Sequence, residues 1–459
     1  MTNKINNSKG SLHGYWSSRI SFILAVAGSA VGLGNIWKFP YIAGVNGGGA
    51  FVLVYILCVF LIGLPILVSE ILIGRMGRRN PASSMEAMAL QSSSSKKWAF
   101  VGLMGILSGV LILSYYSVIA GWSLAYIFES FSGTFVNANS TIVEESFFSL
   151  SSSWKITMFW HSLFMIITAY VVSKGVAEGL EKAVRLLMPL LILLLLILLV
   201  YSALEGEFIA GLSFMFAPRF HDLTADGILV ALGHAFFTLS VGMGAIMAYG
   251  AYLPDNMSIG RISISVVLAD TFIALISGLV IFPIVFANGL DPEAGPGLVF
   301  MSLPMAFGNL PGGIGLGVIF FTLLSFAAWT SAISLMEPAV AWAVEKFKIQ
   351  RVTASFFICL IIWVFGLGTV FSFSLLSDFL LLGRNIFDNL DYLTSNILLP
   401  LGGLMIVIFA SWVVNIDSLS IQLDKSRGIF FRLWLFLSRY IAPIGVMIIF
   451  FYSVNIFST

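Results

Sequence analysis

Eleven separate runs of about twenty mostly apolar residues recur along this chain, and ~20 such residues are what an α-helix needs to cross the hydrocarbon core of a bilayer. The expected limits are residues 17–42, 50–74, 99–128, 155–173, 183–204, 228–253, 261–287, 314–343, 352–372, 392–415 and 430–455. Inside a bilayer every backbone N–H and C=O must find a partner within the protein, and runs of this length do so as helices. Over 459 residues, 59% are hydrophobic and 10% charged, with mean hydropathy +1.01, against about a quarter charged in soluble domains. The expected fold is therefore an all-α membrane protein with eleven transmembrane helices, a single transmembrane domain over residues 1–459. A net charge of +1 supplies no basic stripe for nucleic acid. Cys58 and Cys359 lie far apart inside apolar runs and read as packing residues, not as a disulfide framework or a thiolate metal site.

Arg19, the apolar run from Ile20, and Ala25, Ala27 and Ala30 imitate a secretory signal with a cleavage site. The run continues through Val31–Leu33 into Asn35, Ile36, Trp37 and a second apolar piece, which describes one interrupted membrane helix. If the N-terminus lies inside, all but Lys38, Lys155, Arg219 and Arg384 of the 23 Lys and Arg fall on the cytoplasmic side or helix ends. That asymmetry sets the orientation: a multi-pass protein of the cell membrane, N-terminus cytoplasmic and, after eleven spans, C-terminus outside. The serines near 92–95 read as a cytoplasmic loop and 131–154 as a polar outer loop. Residues 288–313 are rich in Gly and Pro yet contain the apolar run 298–301, so they are expected to fold back over an outer mouth, a plain connection being the alternative.

A Val-Gly-x-Gly core occurs in run one, Val31-Gly32-Leu33-Gly34, and again in run six, Val241-Gly242-Met243-Gly244. Five spans separate the copies, so the second enters the membrane inverted. Paired Gly-interrupted helices in two inverted halves point to a transporter's binding site, because glycine weakens the helix and frees backbone groups at membrane depth. The alternative is close helix packing over small residues. A dinucleotide site is excluded, since no strand precedes the glycines. Ionisable groups at membrane depth are functional suspects, here Lys38, Glu70, His234, Asp270 and Glu337, with Asn35, Thr238, Thr330 and Ser331 beside them. Such oxygen-rich chemistry suits hard cations over transition metals, and no spacing suggests a nucleophile with its base.

The stretch Gly28-Ser29-Ala30-Val31-Gly32-Leu33-Gly34-Asn35-Ile36-Trp37-Lys38-Phe39-Pro40 with Asn46-Gly47-Gly48-Gly49-Ala50-Phe51 resembles the signature of the neurotransmitter:sodium symporter family. Phe236-Phe237-Thr238-Leu239-Ser240 and Thr330-Ser331 extend the likeness, which covers nearly the whole chain and points to the eleven-span bacterial branch. The resemblance implies the leucine-transporter fold, with inverted five-helix repeats over about 15–204 and 228–415, broken helices one and six, and an extra helix at 430–455. It implies sodium as coupling ion, held at two positions: one with Ala30, Asn35, Thr238 and Asp270, the other with Gly28, Val31, Ala327, Thr330 and Ser331. Asp270 stands where many relatives have asparagine, and Ala274 where chloride-dependent members have serine, so the fixed carboxylate is expected to replace chloride. His234, near Tyr55, is either a proton carrier with Asp270 on the return step or a packed, satisfied histidine.

The resemblance further implies a small amino-acid substrate. Its carboxylate would meet the first sodium, the amides near Leu33 and Gly34, and the Tyr116 hydroxyl, and its amino group the carbonyls of Ala30, Phe237 and Thr238 and the Ser240 hydroxyl. Amine-only substrates need an acid at the position of Gly32, which favours an α-amino acid. Ile112, Phe237, Met243, Ser331 and Leu335 would bound its side chain, an apolar space with one adaptable thioether suited to leucine, tryptophan, tyrosine or phenylalanine. Tyr116 and Phe237 resemble the aromatic lid, Lys38 with Asp391 the outer charged gate, and Trp16 with Glu345 the inner gate. Lysine for arginine loses the bidentate fork, and His13 stands where an arginine pairs with the inner acid, which would make that gate pH-sensitive. Glu70 is expected to bind freed backbone. A non-transporting amino-acid sensor of the same fold is the alternative function. Lipid is the only other expected partner, and the sequence leaves oligomeric state open.

Overall fold

The computed structural model describes residues 14–291, 297–423 and 428–453. In chain order its helices are α1 (Arg19–Ala30), α2 (Gly34–Val45), α3 (Gly49–Gly77), α4 (Pro81–Gln91), α5 (Lys96–Phe131), α6 (Ser140–Ser152), α7 (Trp154–Ser173), α8 (Val176–Glu205) and α9 (Phe208–Phe216). They continue with α10 (Ala225–Thr238), α11 (Ala245–Ala251), α12 (Ile259–Ala287), α13 (Leu298–Gly308), α14 (Gly313–Phe347), α15 (Arg351–Ser372), α16 (Ile386–Val413), α17 (Ile416–Leu423) and α18 (Ile429–Ile448). Among the described residues, nine helices are long and apolar enough to span a bilayer, and the bent pair α1/α2 makes a tenth. The run expected at 228–253 is split into α10 and α11, neither long enough to pass alone.

Both breaks fall at the repeated glycine cores. The axes of α1 and α2 meet at 51°. Between α10 and α11, Ser240, Gly242 and Gly244 take φ of +53°, +87° and +73°, a left-handed region that helices of L-residues avoid. Gly242 needs to be glycine twice over, since a Cβ there would also lie 2.5 Å from the Leu399 carbonyl oxygen. The amides released by this unwinding are satisfied by the buried carboxylate of Glu70 on α3, which accepts from Gly242 at 2.6 Å and Met247 at 3.2 Å.

The long helix α14 lies against α5, α8 and α1 and forms the centre of the bundle, while α7, α8, α15 and α18 keep most of their surface on the outside. Four short helices, α4, α6, α9 and α17, occupy stretches read as loops or left unassigned. They fall below spanning length, and two are marked in the sequence by capping: Asn80 accepts from the Ser83 amide at 3.1 Å ahead of α4, and Asn139 from the Ile142 amide at 3.0 Å ahead of α6. The third, α9, lies along α12. The segment around α13 folds back into the outer half. Phe300 is buried there among Trp122, Tyr126, Phe147 and Phe321, and its carbonyl accepts from the Tyr126 hydroxyl at 2.9 Å.

Candidate functional site

Unwinding of the first break redirects three backbone carbonyls. In a continuous helix the carbonyls of Gly28, Ser29 and Val31 would accept from the amides of Gly32, Leu33 and Asn35. Here the Gly32 amide donates to Asn35 Oδ1 at 3.1 Å, the Leu33 amide to the Tyr116 hydroxyl at 3.2 Å and the Asn35 amide to the Gly32 carbonyl at 3.2 Å. The released oxygens turn to α14, where Ser331 Oγ lies 3.3 Å from the Gly28 carbonyl, 3.2 Å from that of Ser29 and 3.3 Å from that of Val31. Thr330 Oγ1 is 3.1 Å from the Ala327 carbonyl, and a Cβ on Gly28 would sit 3.3 Å from Thr330 Cβ. Thus Gly28, Val31, Ala327, Thr330 and Ser331 converge as one oxygen cluster, together with the Ser29 carbonyl, which sequence reasoning missed because no side chain advertises it.

A second oxygen cluster lies where α2, α10 and α12 meet. Asn35 Nδ2 donates to Thr238 Oγ1 at 3.0 Å and to Asp270 Oδ1 at 2.7 Å, and Thr238 Oγ1 lies 3.1 Å from both Asp270 oxygens. All three residues are buried, and the Tyr55 hydroxyl approaches Asp270 at 3.5 Å. Every side chain bonded to this carboxylate is neutral, so a cation is the counter-charge its burial calls for. The donors are oxygens at both clusters, the set hard cations prefer. Among the described residues, no group of three or more His, Cys, Asp and Glu could hold a metal ion.

Between the clusters lies a cavity of about 20 Å³, lined by Ser29, Ala30, Gly32, Leu33, Gly34, Ile112, Tyr116, Phe237, Ser240, Met243, Ser331 and Leu335. That volume takes about one water, so admitting an amino acid requires Phe237, Met243 or Tyr116 to shift. Of the substrate residues expected from the sequence, only Thr238 is missing from this lining, its hydroxyl being turned to Asp270. Ser240 Oγ donates to the Ser29 carbonyl at 2.7 Å. A Cβ on Gly32 would lie 2.5 Å from Ser331 Oγ and 2.9 Å from the Tyr116 hydroxyl, so backbone alone fits between them.

Above it opens an outer cavity of about 420 Å³. Tyr116 and Phe237 line both spaces and form the floor between them. Lys38 and Asp391 both border the outer cavity and attract each other across it without direct hydrogen-bonded contact. Lys38 Nζ sits 4.6 Å from the centroid of the Phe237 ring, while Asp391 accepts from Tyr115 at 3.2 Å and Ser395 at 2.9 Å. A charged latch expected from the sequence is thus parted here, each charge having another partner. The inner half is closed: Trp16 is buried, donates from its ring to the Tyr249 carbonyl at 3.2 Å and packs edge-on against that ring at 5.3 Å. Glu345 accepts from the backbone and side-chain nitrogens of Asn80, each at 2.7 Å, a partner not anticipated, and His13 lies outside the described residues. Glu337 binds Arg351 and accepts from the Tyr252 hydroxyl at 2.7 Å. His234 is buried between Phe39 and Tyr55, and neither ring nitrogen has a hydrogen-bond partner, so it is packed but not satisfied.

A family model described as the Sodium:neurotransmitter symporter family matches residues 13–147 and 144–459. An uncharacterized sodium-dependent transporter of Bacillus subtilis, YhdH, is 38% identical over 446 residues, 96% of this chain and 98% of its own. A second uncharacterized sodium-dependent transporter, from Haemophilus influenzae, is 32% identical over 95% of this chain and 97% of its own. Among solved structures, the crystal structure of MhsT in complex with L-phenylalanine superposes with a TM-score of 0.89 at 41% identity, covering 96% of this chain and 99% of that one.

Proposed function

Because the chain belongs to the sodium:neurotransmitter symporter family of secondary transporters, we propose that it moves neutral, large hydrophobic or aromatic L-amino acids into the cell together with sodium, by alternating access and without chloride. It is a multi-pass membrane transporter and not an enzyme. The observation that carries the proposal is the buried Asp270 carboxylate with only neutral partners, next to a cavity bounded by freed backbone and apolar side chains. Sodium beside Asp270 would neutralise that charge and present itself to a substrate carboxylate at the Leu33 and Gly34 end of the cavity. Ile112, Met243 and Leu335 leave an apolar side chain as the matching remainder, and the L-phenylalanine held by MhsT supports this class.

Asp270 would also do the work of chloride, since Ala274 offers no hydroxyl to an anion. The other cluster, around Ser331, would take a second sodium. It ties α1 to α14, so filling it holds the inner half closed. Each charge moved through ~100 mV releases about 2.3 kcal/mol, and two ions give ~4.6 kcal/mol, roughly three decades of accumulation. The two halves, about 15–204 and 228–415, would exchange inner for outer access around the fixed site, with the N-terminus cytoplasmic.

The test is binding of radiolabelled L-phenylalanine, L-leucine and L-tryptophan to purified protein in sodium and in potassium, followed by uptake into vesicles. Sodium-dependent binding with uptake that survives exchange of chloride for gluconate is the expected outcome. Binding without uptake would identify a sensor, and binding of none in either salt would overturn the site assignment.

A further inference from the structure

The bilayer-facing surface between α7 and α15 carries a groove of about 540 Å³, with Ile166, Tyr170, Val352 and Phe356 exposed along it. Its wall on α15 runs from Val352 to Trp363, about 16 Å at ~1.5 Å per residue, which is close to one leaflet of a ~30 Å hydrocarbon core. The groove is apolar except at particular points. Ser355 lines it, is 1% exposed, and its hydroxyl has no hydrogen-bond partner. A buried orphan hydroxyl at membrane depth costs free energy that an acceptor from outside the protein would offset.

The groove opens at the protein face on which α7 ends and α15 begins. There the 22-residue α15 starts with no side-chain cap from Gln350, leaving its first amides and the positive end of its dipole at the mouth. Arg351 Nε donates to the Val172 carbonyl at 2.8 Å and fixes the start of α15 against the end of α7. Lys174 is exposed, and its ammonium lies 5.0 Å from the centroid of the Tyr170 ring, on the wall of the groove. The nearby acids are engaged elsewhere, Glu337 with Arg351 and Tyr252, and Glu178 with Lys182. A mouth of this charge complements an anion.

We propose that this groove is a site for an anionic phospholipid. The phosphate sits at the α15 N-terminus beside Lys174, one acyl chain lies along the groove, and the Ser355 hydroxyl rotates out of its buried position to donate to an ester carbonyl. Ser355 is one turn inside α15, about 6 Å below its first residue, which is where the ester would stand beneath the phosphate.

Native mass spectrometry of the full-length protein, given equimolar phosphatidylglycerol and phosphatidylcholine, tests this. One phosphatidylglycerol retained under activation that strips phosphatidylcholine is expected, with excess inorganic phosphate unable to displace it. Lys174→Glu should cut retention about fivefold or more, and Cys359→Trp, which fills the groove without altering charge, should also cut it. Lys97→Glu, on an exposed basic residue away from the groove, should not. If Cys359→Trp does not fold, a maleimide attached to Cys359 of the folded Cys58→Ser protein replaces it. Equal retention of the two lipids, equal loss from Lys97→Glu and Lys174→Glu, full retention with the groove filled, or displacement by phosphate would each overturn the proposal.

Discussion

Asp270 is a carboxylate at membrane depth bonded to Asn35, Thr238 and Tyr55, all neutral, and its charge is the reason a cation is proposed at this position. Asp270→Asn is expected to weaken apparent sodium affinity about tenfold, the equivalent of ~1.4 kcal/mol, read by titrating sodium during uptake, and chloride should not restore it, since Ala274 offers an anion no hydroxyl. Gly32 governs the other side of the cavity. With Ser331 Oγ 2.5 Å and the Tyr116 hydroxyl 2.9 Å from where a Cβ would stand, Gly32→Ala must displace one of them. Overpacking of this kind costs about 1–3 kcal/mol, so amino-acid affinity should fall roughly 10- to 100-fold in a radioligand assay while the protein still elutes as a single species.

At the scale of elements, the broken helices stand because something receives what they release. In the α10/α11 break the receiver is Glu70, accepting from Gly242 and Met247. Glu70→Ala leaves those buried amides without partners, at about 1–3 kcal/mol each. Thermal unfolding followed by thiol labelling of Cys58 and Cys359 should then move down by several degrees, whereas Glu70→Gln, keeping an acceptor, should recover part of the loss. In the α1/α2 break the receivers of the freed Ser29 carbonyl are Ser331 and Ser240, so these hydroxyls hold the break together in this state.

Across the whole molecule, the outer cavity reaches down to Tyr116 and Phe237 while Trp16 and the Glu337 network fill the inner half. In the proposed cycle, closing the outer side would bring Lys38 from the Phe237 ring to Asp391. Arginine at this position would reach the carboxylate with a bidentate fork, so Lys38→Arg is expected to slow release of bound amino acid about three- to tenfold. Dissociation of preloaded radioligand in sodium reads this directly, and an unchanged rate would separate the latch from closure.

The sequence alone determined the helical class, since apolar runs of spanning length leave the backbone one way to satisfy itself in lipid; the glycine cores and polar residues at membrane depth pointed to the two breaks, whereas the apolar lining of the candidate site came only from the family resemblance. The ends of the runs came out within a few residues except where α8 and α16 begin early and where the sixth run is split into α10 and α11. Only the tertiary structure decided which atoms meet. The Ser29 carbonyl enters a cluster because three amides across the break bind elsewhere, Asn80 takes Glu345, and Lys38 turns to Phe237 instead of Asp391. Each of these depends on backbone direction or on competition between distant partners, and neither is written in residue type.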